Sequence, residues 1–199
     1  MEETPNLLVP SWDVVYQLLI QLAEAITAAS YEPNLIIAVS RGGFIPGRIL
    51  ADLLGCAVMR TIGVSFYEDI GRRGRMPTVT QPLSGPISDD ALALVVDDIA
   101  DTGETLALVQ HELEPLVRGL KTATIYRKPC SSFIPDFSGQ ETDAWVIFPW
   151  EVCESVKRIG KRLLQSGRTF PQAQEYLLQA GIPRGHVQKF MEDLLEGGR

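Results

Sequence analysis

The sequence has few of the residues that bind transition metals or form disulfides. Only three of its 199 residues are cysteines and two are histidines. Cys56, Cys130 and Cys153 lie far apart without a CxxC pair, which predicts free thiols in a reducing compartment. His111 and His186 form neither an HExxH motif nor a close pair, so the pattern argues against a catalytic zinc site. We therefore expect a cytoplasmic protein.

A surplus of positive charge and a long apolar run are also missing. The 18 Lys and Arg residues are outnumbered by 25 Asp and Glu residues, which gives a net charge of −7. This balance argues against a general nucleic-acid-binding protein. No apolar run approaches the about 18 residues that a transmembrane helix needs, and the N-terminus MEETPNLLVP is acidic. We expect neither a membrane span nor a nucleic-acid partner.

What the chain does contain is an alternation of short apolar strands and amphipathic helices. Strands are predicted over residues 34–39, 56–64, 91–96, 120–126 and 144–148, and helices over 11–26, 46–54, 104–116 and 151–165. This order is typical of an α/β fold, with a mostly parallel sheet and helices on both faces. Residues 1–165 would form this domain, and residues 166–199 a C-terminal helical hairpin. Glycine and proline interrupt residues 65–90, which predicts a long functional or mobile loop.

The stretch VVDDIADTGET, residues 95–105, carries the strongest functional signal. A buried strand ends in a turn containing Gly103, and a helix follows, so several backbone N–H groups point out of a helix N-terminus. Such a turn binds anions, most often phosphate, and Thr102 and Thr105 add hydroxyl donors. The turn is neither a P-loop nor a dinucleotide-binding loop, because it lacks both Gly-Lys-Ser/Thr and GxGxxG.

Three carboxylates crowd this anion-binding turn. Asp97 and Asp98 would repel a phosphate unless they face the hydroxyls of a phosphorylated sugar or a Mg²⁺ ion bound to that sugar. Asp101 opens the turn, so it should reach past the sugar toward the group at the anomeric carbon. The alternative is a surface acid cluster that caps a helix, which is the poorer interpretation for three acids fused to an anion turn.

A second candidate anion site follows an earlier strand. The sequence SRGG comes directly after the strand predicted over residues 34–39, and its members are Ser40, Arg41, Gly42 and Gly43. Glycines let backbone amides approach a diphosphate, and Arg41 adds positive charge. Taken alone, SRGG is equally consistent with an ordinary strand-to-helix turn. Ligands bind at the carboxyl ends of strands in such sheets, and both stretches fall at such ends.

Together these stretches resemble two motifs of the type I phosphoribosyltransferases. VVDDIADTGET is similar to the family's signature for phosphoribosyl pyrophosphate (PRPP), and VSRGGFIPGRILA is similar to its pyrophosphate loop. The resemblance implies that Asp97 and Asp98 hold the ribose and Mg²⁺, and that Ser40–Gly43 hold pyrophosphate. It assigns the 5′-phosphate to the residues of the turn, which are Thr102, Gly103, Glu104 and Thr105.

The stretch SFY resembles the start of the family's mobile catalytic loop, which places Ser65 and Tyr67 there. Three arginines of the same segment are candidates to close over pyrophosphate, with a solvated basic loop as the alternative. They are Arg72, Arg73 and Arg75.

Two later stretches, IYRKP and AWVIFPWE, resemble the 6-oxopurine branch, and most of all the xanthine-guanine phosphoribosyltransferases. The resemblance places Lys128 at the purine O6 and Trp145 against the ring. It also places backbone groups near Val146 at the edge of the base. A lysine has donors and no acceptor, so it favours a carbonyl at C6 over the amino group of adenine. A solvated Lys128 and a core Trp145 are the alternatives.

The implied activity is the conversion of PRPP and guanine, xanthine or hypoxanthine into a nucleoside 5′-monophosphate and pyrophosphate. Asp101 would then lie near purine N7 as an acceptor or general base, and a homodimer or homotetramer is expected. Two alternatives stay open: a nucleotide- or PRPP-sensing RNA-binding regulator of the same fold, and a phosphoribosyltransferase for adenine or a pyrimidine.

Overall fold

The computed structural model describes residues 6–68 and 75–196. The chain divides into two compact units. One, which we call the central unit, is Val15–Asp143. The other, the terminal unit, joins the two ends of the chain, Met1–Val14 and Ala144–Arg199.

The elements follow the alternation that the sequence predicts. In chain order they are β1 (Leu7–Leu8), α1 (Trp12–Ala28), β2 (Leu35–Ser40), α2 (Phe44–Leu53), β3 (Met59–Glu68), β4 (Arg75–Gln81), β5 (Leu92–Ala100), α3 (Glu104–Leu113), β6 (Gly119–Arg127), β7 (Phe137–Glu141), β8 (Trp145–Val146), α4 (Val152–Gln165), α5 (Phe170–Gln179) and α6 (Arg184–Glu196). No helix within the described ranges is long and apolar enough to cross a membrane.

The central unit is built on a six-stranded sheet with the order β4-β3-β2-β5-β6-β7. Neighbouring strands are parallel except for β3 and β4, which are antiparallel. The middle strands β2 and β5 each begin with a continuous apolar run, residues 35–39 and 92–96, as is typical of strands covered on both faces. On one face, Ile37 of β2 shares a core cluster with Leu106 and Val109 of α3. On the other face, Gly47 of α2 lies against Ile36 and Ala38. The predicted α/β fold with helices on both faces is confirmed.

The terminal unit combines a small sheet with a helical bundle. β1 pairs with β8 in parallel, with Leu7 opposite Trp145. Helices α4, α5 and α6 share a buried core that includes Val156, Leu177 and Met191. A capping box between Thr169 and Gln172 starts α5, because each side chain bonds a backbone N–H that the helix leaves without a partner. The predicted C-terminal helical hairpin is therefore present as α5 and α6.

The segment predicted as a loop over residues 65–90 differs from that expectation. β3 continues through Ser65 to Glu68, and the residues 75–81 form the antiparallel strand β4. Pro77 weakened the sequence signal for a strand, but β4 is the edge strand, where a residue without an N–H is tolerated. Arg72 and Arg73 lie outside the described residues.

Two other boundaries were wrong in the sequence reading. The strand predicted over 144–148 is limited to Trp145–Val146, although Ile147 and Phe148 are buried. The helix after Gly103 ends at Leu113 and continues as a short 3-10 turn, so Leu116 is exposed rather than part of the buried face. Strands β1 and β7 were not predicted.

The helical bundle of the terminal unit predicts a large stability difference between two leucines. Leu177 has no exposed surface, whereas 59% of Leu195 is exposed. Leu177→Ala should lower the free energy of unfolding by about 2–5 kcal/mol, because it removes buried methyl groups and leaves a cavity. Leu195→Ala is the control and should change it by less than about 0.5 kcal/mol. Urea denaturation followed by circular dichroism measures both; equal losses would contradict the packing described.

Candidate active site

The SRGG turn and the acidic pair meet at the carboxyl ends of β2 and β5. These strands are neighbours, with Ala38 opposite Val96. A Cβ atom at Gly42 would overlap the Asp98 carboxylate, and one at Gly43 would overlap the carbonyl oxygens of Val96 and Val39. The turn is anchored by the Gly43 N–H, which donates to the Val39 carbonyl at 2.8 Å. The peptide bond between Ser40 and Arg41 is cis. The structure thus brings together two sequence motifs more than 50 residues apart.

The turn after β5 has a backbone that requires glycine. Gly103 has a φ of +86°, and a Cβ there would come within 2.5 Å of the Phe133 backbone nitrogen. Gly103 precedes α3, which starts at Glu104. Thr102 and Glu104 are exposed and Thr105 is half-buried, and the Glu104 N–H donates to the Thr102 hydroxyl at 3.4 Å.

The segment after β6 is hydrogen-bonded to this turn, a contact that sequence reasoning did not predict. Ser132 donates twice to the Thr102 carbonyl, from its backbone N–H at 2.9 Å and from its hydroxyl at 2.8 Å. The Lys128 N–H donates to the Ala100 carbonyl at 2.9 Å, which fixes the start of the segment to the end of β5. Two adjacent serines a few residues after the end of β6 were the available signal. Ser132 holds the turn in place from the segment that follows the neighbouring strand.

The acidic pair is electrostatically unfavourable as it stands. Asp97 is buried, with 8% of its surface exposed, and its carboxylate accepts the Asp98 N–H at 3.0 Å. Burial, and next the negative charge of Asp98, raise the pKa of Asp97 well above its usual value. A bound cation or a set of hydroxyl donors would relieve both effects. Asp101 is exposed at the start of the turn.

These carboxylates also fit the way Mg²⁺ is bound in phosphate sites. No group of three or more His, Cys, Asp or Glu within the described parts of the chain could hold a metal ion by itself. Mg²⁺ usually takes one or two carboxylates and completes its shell with water and substrate phosphate oxygens. Asp97 and Asp98 supply such a partial set of oxygen donors.

The residues assigned to the purine base fall in both units. Lys128 lies at the end of β6 in the central unit, and its ammonium group donates to the Asp143 carbonyl at 2.8 Å. Trp145 and Val146 form β8 in the terminal unit, where Val146 is buried and 38% of Trp145 is exposed. The Arg158 guanidinium lies 4.7 Å from the centre of the Trp145 ring.

The residues assigned to the catalytic loop lie on a β-ribbon. The backbones of Ser65 and Tyr67 in β3 pair with Thr78 and Met76 in β4. Ser65 is exposed, and Arg75 is the first residue of β4.

The anion-binding turn, the SRGG loop and the acidic pair lie at adjoining strand ends. This arrangement is typical of an α/β protein that binds a phosphorylated ligand. Comparison with known proteins gives the class more closely. The chain belongs to the phosphoribosyl transferase domain family, whose model matches residues 11–156. The predicted membership is thereby confirmed, and the chain is a phosphoribosyltransferase.

The names of individual relatives agree with this family membership. The chain is similar to xanthine-guanine phosphoribosyltransferase of Idiomarina loihiensis, with 31% identity over 145 residues, 71% of this chain and 85% of the relative. The same-named protein of Roseobacter denitrificans is 32% identical over 126 residues, 59% of this chain and 68% of the relative. Among solved structures, a purine phosphoribosyltransferase from Pyrococcus horikoshii is 36% identical with a TM-score of 0.65, covering 73% of this chain and 93% of that one.

The Gly103 turn predicts that two glycines with the same type of backbone differ in their tolerance of alanine. Gly55, in the same unit, also has a positive φ, of +66°, but nothing lies within 4 Å of an added Cβ. Both alanine variants incur the left-handed strain. Only Gly103→Ala also forces the Phe133 backbone away, so it should lower the free energy of unfolding by about 1–3 kcal/mol more than Gly55→Ala. Thermal unfolding monitored by calorimetry tests this; a larger loss for Gly55→Ala would refute it.

The raised pKa of Asp97 predicts that replacing its carboxylate with a neutral group raises the free energy of unfolding by an amount that depends on pH. Below the unfolded pKa both states hold the proton, so Asp97 adds no penalty. As pH rises through the raised folded pKa, the folded state loses stability relative to the unfolded state. Asp97→Asn keeps an acceptor for the Asp98 N–H and should therefore raise the free energy of unfolding at pH 7, with a gain that shrinks toward pH 4. Urea titrations at several pH values measure this, with exposed Asp101→Asn as the control; a gain independent of pH would contradict it.

Proposed function

We propose that the protein transfers the phosphoribosyl group of PRPP to a 6-oxopurine, guanine, xanthine or hypoxanthine, and releases pyrophosphate. The observation that carries the proposal is the approach of Gly42 to the Asp98 carboxylate beside the Gly103 turn. This arrangement offers separate places for a diphosphate, a ribose and a 5′-phosphate along one sheet edge. The names of the relatives support a purine as the acceptor.

In the proposed site, the ligand's three parts have separate partners. Ser40–Gly43 hold pyrophosphate through the Arg41 charge and the backbone N–H groups that precede Gly43, whose own N–H stays bonded to the Val39 carbonyl. Asp97 and Asp98 accept hydrogen bonds from the ribose hydroxyls. The turn from Thr102 to Thr105 binds the 5′-phosphate with N–H and hydroxyl donors at the N-terminus of α3.

The chemistry needs positioning and charge stabilisation rather than a protein nucleophile. The bond between the anomeric carbon and the pyrophosphate oxygen breaks, which leaves an oxocarbenium-like ribose and puts the bonding electrons on pyrophosphate. A ring nitrogen of the purine forms the new bond, and the base loses a proton. Asp101, near purine N7, accepts a hydrogen bond or proton from the base. Holding both reactants in line supplies much of the rate enhancement.

Magnesium belongs to this proposal as a cofactor. Asp97 and Asp98 would hold it together with oxygens of PRPP, and when bound it offsets the negative charge of pyrophosphate. The same two carboxylates also fix the ribose beside the SRGG loop.

The base would be held by three features. Trp145 offers a flat apolar face for stacking. Lys128 has three N–H donors, so its ammonium group can keep its bond to the Asp143 carbonyl and still donate to the purine O6. Backbone groups at Val146 would read the edge of the ring. The base-binding residues thus favour a carbonyl at C6.

The proposal also covers the domain bounds, the cellular compartment and the oligomeric state of the enzyme. We assign residues 1–165 to the transferase domain and residues 166–199 to a helical extension. The three free cysteines fit a reducing cytoplasm. A homodimer or homotetramer is proposed.

The function is tested by incubating the purified protein with PRPP, Mg²⁺ and a panel of guanine, xanthine, hypoxanthine, adenine, orotate and uracil. Mononucleotide should form from one or more 6-oxopurines, and chelation of Mg²⁺ should abolish it. Product from adenine or a pyrimidine alone would overturn the roles given to Lys128 and Trp145. If PRPP bound without product from any base, the transferase proposal would fall in favour of a regulator.

Asp101 should separate turnover from PRPP binding. Asp101→Asn keeps the shape of the residue but removes its basicity, so kcat should fall about 10²–10⁴-fold. The Kd for PRPP, measured by calorimetry, should stay within about twofold because the 5′-phosphate and pyrophosphate contacts are intact. Asp89→Asn is a matched control, since Asp89 is an exposed acid before the amino end of β5. Wild-type turnover in Asp101→Asn would remove the residue from the mechanism.

A further inference from the structure

The side chain that faces Trp145 is an arginine of the terminal unit's first helix. Arg158 lies on α4, and its guanidinium is 4.7 Å from the centre of the Trp145 ring. That distance is within the range of a cation–π contact, in which the positive charge is attracted to the electron-rich face of an aromatic ring. Sequence reasoning assigned Arg158 no role.

The neighbouring residues of α4 leave Arg158 on its exposed side. Val156 and Ile159 are buried in the core shared by α4, α5 and α6. Lys157 turns toward α6, where its ammonium group lies 3.4 Å from the Asp193 carboxylate. Of these four consecutive residues, only Arg158 is exposed, and its long side chain reaches the indole ring of β8.

The backbone of Trp145 is fixed, but the direction of its ring is not fixed by the backbone. The Trp145 N–H donates to the Asn6 carbonyl at 2.8 Å, and Ile147 does the same to Leu8 at 2.8 Å, which locks β8 against β1. Val146 points into the core, so Trp145, its neighbour on the strand, points outward. An outward indole ring has several rotamers open to it. The guanidinium favours those that keep one ring face on Arg158.

Part of the Trp145 side chain stays available. Although the guanidinium covers one face, 38% of the Trp145 surface is exposed. A tryptophan ring is flat, so this exposure fits an open face opposite the arginine. A purine can stack on such a face, which contributes about 1–3 kcal/mol for a nucleic-acid base on an aromatic side chain.

We propose that Arg158 is a positioning residue for the purine: its guanidinium holds one face of Trp145 and leaves the opposite face for the base. This inference rests on the proposed function, since it takes Trp145 as the surface on which the base stacks. Arg158 touches neither the base nor the ribose in this arrangement. It acts through the orientation of the indole ring, and so on base affinity rather than on the chemical step.

Three variants test the inference by steady-state kinetics, with each substrate varied in turn while the other is saturating. Arg158→Met keeps an unbranched apolar side chain and removes the charge, and should raise KM for the 6-oxopurine about three- to tenfold. Its kcat and its KM for PRPP should stay within about twofold, because the altered contact is uniform between ground and transition states. Arg158→Lys, which keeps a cation, should recover part of the loss. Lys157→Met is the control, with the same change of charge one residue away.

A double variant distinguishes positioning of Trp145 from a general effect of charge. In a Trp145→Ala background there is no ring to hold, so Arg158→Met should have no further effect on KM for the base. An unchanged or lower KM in Arg158→Met overturns the inference. So does an equal rise in Lys157→Met, or an undiminished rise in the Trp145→Ala background.

The outcome for the wild-type protein separates this inference from the proposed function. If the wild-type protein turns over a 6-oxopurine and Arg158→Met matches it, the proposed function stands and only the inference fails. If the wild-type protein makes no product from any base, the proposed function fails. The same variants are then titrated with guanosine 5′-monophosphate by calorimetry. A weaker Kd in Arg158→Met alone would support the inference, and no difference or no binding would overturn it.

Discussion

The site depends on how closely the backbone after β2 approaches the end of β5. Gly42 lies against the Asp98 carboxylate and Gly43 against the Val96 carbonyl, at distances that exclude any side chain. This contact joins the two halves of the site, since one half lies on a turn before α2 and the other on the acidic strand end. The same constraint applies at Gly103 in the turn after β5, where the backbone of Phe133, from the segment after β6, occupies the space of a side chain. Glycine thus lets the backbone of both turns come close to neighbouring groups where a side chain would not fit.

The close packing at these strand ends also disfavours the charged form of one carboxylate. The sheet buries Asp97 beside Asp98, where the charged form is disfavoured by lost hydration and by the neighbouring carboxylate. A residue that only stabilised the fold would be neutral at that place. The carboxylate is better explained as a group prepared for a partner, either a cation or ligand hydroxyls. Function and stability therefore pull in opposite directions at one side chain, as is common in active sites.

The sequence allowed the α/β fold to be predicted, and it located both stretches that the structure brings together at the candidate site, because continuous apolar strands and their carboxyl-end motifs are local patterns. What it missed depends on contacts between distant residues. β7, with the sequence FSGQE, has a weak strand pattern, and it forms where Gly139 can approach the Ile125 carbonyl of β6. β4 was obscured by Pro77, whose place on the edge is known only from the strand order. The two hydrogen bonds from Ser132 to the Thr102 carbonyl and the Arg158–Trp145 contact each join residues that are far apart or unpatterned in the sequence, so their geometry could not be predicted from it.

The pairing of β1 with β8 has a consequence for the order in which the protein can form. The central unit is one continuous stretch, Val15–Asp143, so all of its strands are available as soon as that stretch has left the ribosome. The terminal unit needs Leu7 to meet Trp145 and then needs α6, near the end of the chain. Contacts of such long sequence separation form late, since loop closure must precede them. During synthesis, the central unit with its SRGG turn, acidic pair and Gly103 turn can thus be complete while residue 145 and the helices of the terminal unit are still being made.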